Sequence, residues 1–238
     1  MPDRLGTEEG RRLTRRLLAR VGRGYAEALG FPVTSNPSSL FRLLLLCVLT
    51  SGEREYRRAA SIAEALVRQG WDSAARLADS GYDERVAVIR SAGGGRANGR
   101  TNGRANDRAN DRAERWSATL GDLATAVVQR YGGDLRRLRG QARRDQAAQR
   151  RLLCGLPGVT DAAVDLFFRD VQVIWPEAGP FADRRSLRAA ARLGLGGSVA
   201  ELDALTAGRS EKLAWLAGAL ARIDLEGRYD EIRALPRG

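Results

Sequence analysis

Apolar residues recur at three- and four-residue spacing along nearly the whole chain, in helix-length segments set off by glycine, asparagine and aspartate. No alternating β-branched stretch competes with this pattern, so the chain is expected to be all-α. Thr7 with Glu8 and Glu9 opens a first helix that should end near Gly30, and the NPSS segment at 36–39 caps an apolar helix running through Val48 and Leu49. Further helices are expected at 55–69, 72–79, 83–90, 116–131, 145–153, 161–173, 184–193 and 211–222. A chain of 238 residues can build one large domain or two small lobes around a real core.

Composition narrows the function. The longest apolar run, LLLLCVL at 43–49, is far shorter than the roughly 20 residues a membrane span needs, and MPDRLGTEEGRR at the start lacks a signal-peptide core. The expected location is the cytoplasm, with no membrane partner. The net charge is +11 and rests on arginine, because Lys212 is the only lysine. Such an excess favours a polyanion such as nucleic acid, since the guanidinium fork grips two phosphate oxygens at once. Codon bias in a GC-rich genome would produce the same basicity without any partner. There is no histidine, and the two cysteines lie far apart, so zinc sites, Ser-His-Asp or Cys-His catalysis and four-cysteine clusters lack their ligands. Cys47 and Cys154 stand among apolar residues and read as buried structural thiols.

The segment GGGRANGRTNGRANDRANDRAER, 93–115, repeats arginine at a period of four. In a helix this period would hold Arg96, Arg100, Arg104, Arg108 and Arg112 in one slowly drifting stripe able to track a phosphate backbone. Gly99, Gly103 and the asparagines oppose a helix, and no apolar face exists. The expectation is a disordered insertion, with helix admitted only in the half nearest Trp116.

CGLPGVTDAA, 154–163, lies between two helix-length segments, where free backbone N–H groups can meet an anion. Gly158 either permits a tight turn between helices or lets the backbone approach a ligand closely. The following TDAAVDLFFRDVQVIW places Val164, Phe167 and Phe168 on an apolar face, with Thr160 or Asp161 as cap. Asp183 opens another helix in FADRRSLRAAARLGL, 181–195, as an N-cap worth on the order of 1 kcal/mol. Arg184, Arg185 and Arg188 on that helix face phosphate or solvent.

The ordered set of helix, Leu-Pro-Gly hairpin, helix and aspartate resembles the helix–hairpin–helix DNA glycosylase superfamily, the endonuclease III-like proteins. The resemblance extends upstream through SSLFRLLLLCVLTSGEREYRRAASIAEAL, 38–66, and WSATLGDLATAVVQRYGGDLRRL, 116–138, and covers most of 38–195. It implies two lobes: a helical barrel-like domain at 37–178 carrying the hairpin, and a second lobe built from the N-terminal helix, 1–36, and the C-terminal helices, 179–238. It also implies that Leu156, Pro157, Gly158, Val159 and Thr160 bind double-stranded DNA through backbone amides, that the hairpin carbonyls can hold a monovalent cation, and that Arg184 and Arg185 lie at the DNA. By the same resemblance Asp183, after an insertion around WPEAG at 175–179, is the catalytic carboxylate. Breaking a glycosidic bond builds positive charge on the sugar, which such a group stabilises while water attacks.

Departures from the family pattern refine this expectation. Ala162 stands where the Schiff-base lysine of the glycosylase/lyases is placed, and Lys212 lies in the wrong region to replace it, so lyase chemistry lacks its amine. The second hairpin glycine is replaced by Thr160 and followed by Asp161. Gly52 in TSGERE, 50–55, stands where some members insert a glutamine behind the flipped base, with Arg54 and Tyr56 as adjacent substitutes. No cysteine follows Leu195, which resembles branches without the iron–sulfur cluster; Leu202, Leu205, Leu213, Trp215, Leu216 and Leu220 are expected to close the second lobe instead. The expected function is that of a monomeric, nucleoid-associated, monofunctional DNA glycosylase acting on a damaged, flipped-out base. The alternative is a catalytically inactive DNA-binding protein on the same fold, to which Ala162, Thr160 and Gly52 point together. A third reading is a structural helical protein whose charge reflects codon bias alone.

Overall fold

Short polar residues at the helix starts divide the chain. Asn36, Ser73, Asp134, Asp145, Asp183 and Ser198 each accept a backbone N–H of the helix that follows, satisfying one of its orphan donors. The computed structural model describes residues 5–22, 24–53, 55–93 and 103–235, among which there is no strand. They form two compact units, Met1–Val33 with Asp165–Gly238, and Thr34–Val164.

The first unit opens with α1 (Thr7–Val21) and α2 (Tyr25–Ala28). The single helix expected to reach Gly30 is broken because Gly22 and Gly24 take left-handed φ of 88° and 67°. The second unit follows with α3 (Pro37–Gly52), α4 (Tyr56–Arg68), α5 (Ala74–Ala78), α6 (Tyr82–Gly93), α7 (Gly103–Tyr131), α8 (Leu135–Gln141) and α9 (Gln146–Cys154). Its axis is α3, whose residues from Leu43 through Leu49 are all buried. A helix apolar on every side must be surrounded, and α4 and α8 pack against it.

Of the insertion expected at 93–115, the half nearest Trp116 is helical, because α7 begins at Gly103; 94–102 lie outside the described residues. Nucleation is the costly step in helix formation and propagation is cheap. Leu120, Leu123, Ala124 and Val127 are buried and fix the helix, which then propagates backward through Ala113. Arg85 of α6 is 7% exposed and ties this unit together, donating to the carbonyls of Ser80 and Ser117. Gly121 leaves the room its guanidinium needs.

The chain then forms α10 (Asp161–Val171), α11 (Arg184–Arg192), α12 (Val199–Leu205), α13 (Ser210–Glu226) and α14 (Tyr229–Arg233). Residues 165–178, expected in the barrel-like lobe, group with the first unit. There Phe167 meets Trp175 edge-on at 5.6 Å and Phe168 meets Phe181 at 6.0 Å. The core of the first unit centres on α13 and includes Leu17, Ala189, Ala190, Leu202, Leu213, Leu216 and Leu220. The helices α8, α12 and α14 were not expected from the sequence. No helix among the described residues is long and apolar enough to cross a membrane.

Candidate functional site

The second unit presents the hairpin. After α9, Gly155 and Leu156 close the helix with N–H bonds to Arg151 and Leu153, and Val159 N donates back to Leu156 O at 3.2 Å. The side chains of Leu156 and Val159 are buried, which leaves the exposed Gly158, the half-buried Pro157 and the exposed Thr160 to meet a ligand. Gly158 has φ 72°, and a Cβ there would collide with Thr119 of α7. Glycine is thus needed both for the turn and for the close packing of hairpin on helix.

The cap of α10 is Thr160, whose hydroxyl accepts from Ala163 N at 3.2 Å and lies 3.4 Å from the Ser51 hydroxyl. The N–H groups of Asp161 and Ala162 have no acceptor one turn back within the helix, as at any helix start. The Asp161 carboxylate, which would oppose an anion here, is paired with Arg150 at 3.1 Å and lies 3.6 Å from the Cys154 thiol. Cys154 is therefore half-exposed and faces a carboxylate, in contrast to the buried thiol expected; Cys47 is buried. Arg130 of α7 donates to the Gly155 carbonyl at 2.7 Å and ties the start of the hairpin to that helix. Of the plug candidates, Tyr56 is half-buried and accepts from Arg57, and Arg54 lies outside the described residues.

In the first unit, Asp183 is the N-cap of α11. Its Oδ1 accepts from Ser186 N at 2.9 Å, and its Oδ2 accepts from Arg169 Nη1 at 2.6 Å. Sequence reasoning missed this partner. Arg169, on the last turn of α10, is 1% exposed, pairs through two nitrogens with Asp170, and lies over the Tyr25 ring at 4.5 Å. Burial opposes the guanidinium charge, but the Asp170 and Asp183 carboxylates more than offset this and raise the Arg169 pKa. The loop leading to Asp183 is pinned by buried Gln172, which donates to Phe181 O at 2.8 Å and accepts from Phe181 N at 3.0 Å. The result is a rigidly oriented carboxylate, 5% exposed, with one remaining lone pair on each oxygen.

Arg184 and Arg185 are exposed at the start of α11. Arg185 pairs with Asp224 of α13 at 2.8 Å, and Arg188 and the Tyr229 hydroxyl donate to the same carboxylate. Burial alone would raise the Asp224 pKa, but the bonds from Arg188 and Tyr229 and the charges of Arg188 and Arg185 bring it below the ordinary value. Burial and the bond to Asp224 push the Tyr229 phenol up to about 12. The depressed Asp224 contributes stability above about pH 4, which is lost as pH falls through its lower folded value. The neutral phenol contributes below about pH 10 and loses this contribution as pH rises through its folded value. In thermal melts at pH 7 and pH 3, Asp224→Asn is expected to lose less Tm over the interval than the unsubstituted protein. Parallel losses would show that Asp224 is not coupled to folding.

No protein-family model matches the chain, and no curated protein sequence matches it. Solved structures do match. One, described as a non-covalent endonuclease III–DNA complex, superposes with a TM-score of 0.52 at 15% identity, over 92% of this chain and 86% of that one. The fold is that of endonuclease III. A second, a trapped endonuclease III–DNA covalent intermediate in an estranged-adenine complex, gives 0.51 at 16% identity with the same coverage. A four-cysteine iron–sulfur cluster needs four thiolates, and the chain has two cysteines, one buried in α3 and one at the end of α9.

Proposed function

We propose that the protein binds double-stranded DNA through the 156–160 hairpin and acts as a monofunctional DNA glycosylase, with Asp183 as its catalytic carboxylate. The observation that carries this reading is the Pro157–Gly158 turn, with Gly158 exposed, between two capped helices on a chain with the endonuclease III fold. Its neighbours in fold are described as bound to DNA. Backbone N–H groups at the start of α10 would receive a phosphate, and Arg184 and Arg185, exposed at the start of α11, are further basic side chains this reading assigns to DNA. The hairpin carbonyls are the donors a monovalent cation would use. Gly155 O and Leu156 O each already accept one bond, from Arg130 and Val159, and keep a second lone pair.

In this reading Asp183 stabilises the cationic sugar as the base departs and water completes hydrolysis. With Ala162 at the lysine position there is no amine for a Schiff base, and the abasic product stays uncut. Incubation with duplexes each carrying one damaged base tests this directly. Strand breaks that appear only after hot alkali support it, and breaks without alkali contradict it.

One observation favours a second reading. Both Asp183 oxygens are engaged, one by a buried guanidinium, so the carboxylate also suits a purely structural anchor in a DNA-binding protein without catalysis.

A further inference from the structure

Beside the hairpin the second unit carries a recess of about 390 Å³ that none of the residues above explains. It is lined by Gly52 and Glu53 at the end of α3, Arg58 of α4, and Arg112, Arg115, Trp116 and Thr119 of α7. Its floor is organised by the Glu53 carboxylate, which is 3% exposed. Trp116 Nε1 donates to it at 2.7 Å, and Arg58 and Arg112 approach it at 3.6 and 3.8 Å. The Trp116 ring lies 2.7 Å from where a Gly52 Cβ would stand, so the absence of that side chain admits the ring. Glu55 also pairs with Arg58, at 3.2 Å. Three guanidinium groups against two carboxylates leave the cluster net positive, and Arg115 is exposed.

The recess is continuous with the hairpin. Arg108, Arg112, Arg115 and Thr119 are spaced by four, three and four residues and share one face of α7. Thr119 ends that row against Gly158. Each step along the row rises roughly 6 Å or less, so Arg115 and Arg112 stand about one and two turns from the hairpin contact.

We propose that this recess holds a backbone phosphate of the DNA strand gripped by the hairpin, extending the interface along α7 through Arg112 and Arg115. The inference rests on the DNA-binding reading. A Glu53-anchored arginine pair and a neighbouring exposed arginine make a positively charged seat, and the guanidinium fork matches phosphate oxygens. The repeat-derived start of α7 then serves as an arm carrying charge past the hairpin.

The test measures the affinity of the full-length protein for one undamaged duplex across a range of salt concentrations. Each phosphate contact adds about one unit to the salt slope. Arg115→Ala and Arg112→Ala should each lower the slope by about one and weaken binding several-fold at fixed salt, while Arg76→Ala on α5, paired with Asp72, leaves both unchanged. Arg115 is exposed, so its variant carries the test even if loss of Arg112 from Glu53 disturbs folding. A steep slope that both arginine variants share with the unsubstituted protein would overturn the recess and leave the hairpin reading standing. No binding of the duplex by the unsubstituted protein would overturn the DNA reading and the recess with it.

Discussion

Replacing Arg169 with methionine is expected to lower the unfolding free energy by about 3–5 kcal/mol, the usual result of removing one partner of a buried ion pair. The side chain is 1% exposed and faces two carboxylates, Asp170 at 3% and Asp183 at 5%. Without it, two buried negative charges confront each other with no compensating cation. Urea unfolding measures the loss. The double variant Arg169→Met/Asp170→Asn should recover part of it, because one of the stranded charges is gone. A loss under about 1 kcal/mol would mean that water reaches these carboxylates and that the cluster does not organise the loop carrying Asp183.

Gly158→Ala should cost about 2–5 kcal/mol, from two separable sources. An L-residue at φ 72° carries about 1–2 kcal/mol of backbone strain. The new Cβ also overpacks against the Thr119 methyl, adding about 1–3 kcal/mol. Thr119→Ser removes that methyl, so Gly158→Ala/Thr119→Ser should retain only the backbone share. Duplex affinity should fall in both alanine variants, since the turn itself meets the ligand. Full stability in Gly158→Ala would show that the hairpin relaxes freely and is not held by α7.

The sequence made the helices legible where a cap and an apolar face coincide, as at Asn36 with α3, Asp145 with α9 and Asp183 with α11. It failed where the pattern was short or interrupted. The helices α8, α12 and α14 span 7, 7 and 5 residues, too few for periodicity to register. For 103–115 local propensity opposes a helix, which could be admitted only next to Trp116; the packed remainder of α7, from which the helix propagates, decides it. At the candidate site, the hairpin and Asp183 could be read from residue type and order. The Arg169–Asp170 pair could not be placed, although an arginine and an aspartate inside the apolar run VDLFFRDVQVIW are the signal of a buried charge cluster. Thr119, Arg130 and the Glu53 recess depend on contacts between helices distant in sequence, which no local spacing encodes.

The most direct measurement of the central claim is base release by the unsubstituted protein and by Asp183→Asn, on the same panel of damaged duplexes developed with hot alkali. Asparagine is also a good N-cap, so this substitution keeps the start of α11 while removing the charge. Alkali-dependent breaks are expected at one class of lesion with the unsubstituted protein, and their loss, by about a hundredfold or more, with Asp183→Asn, the scale of removing one electrostatic stabiliser. Breaks of equal yield from both proteins, or from neither despite salt-sensitive duplex binding, would contradict catalysis by Asp183; the second outcome would leave a DNA-binding protein in which that carboxylate serves only as an anchor.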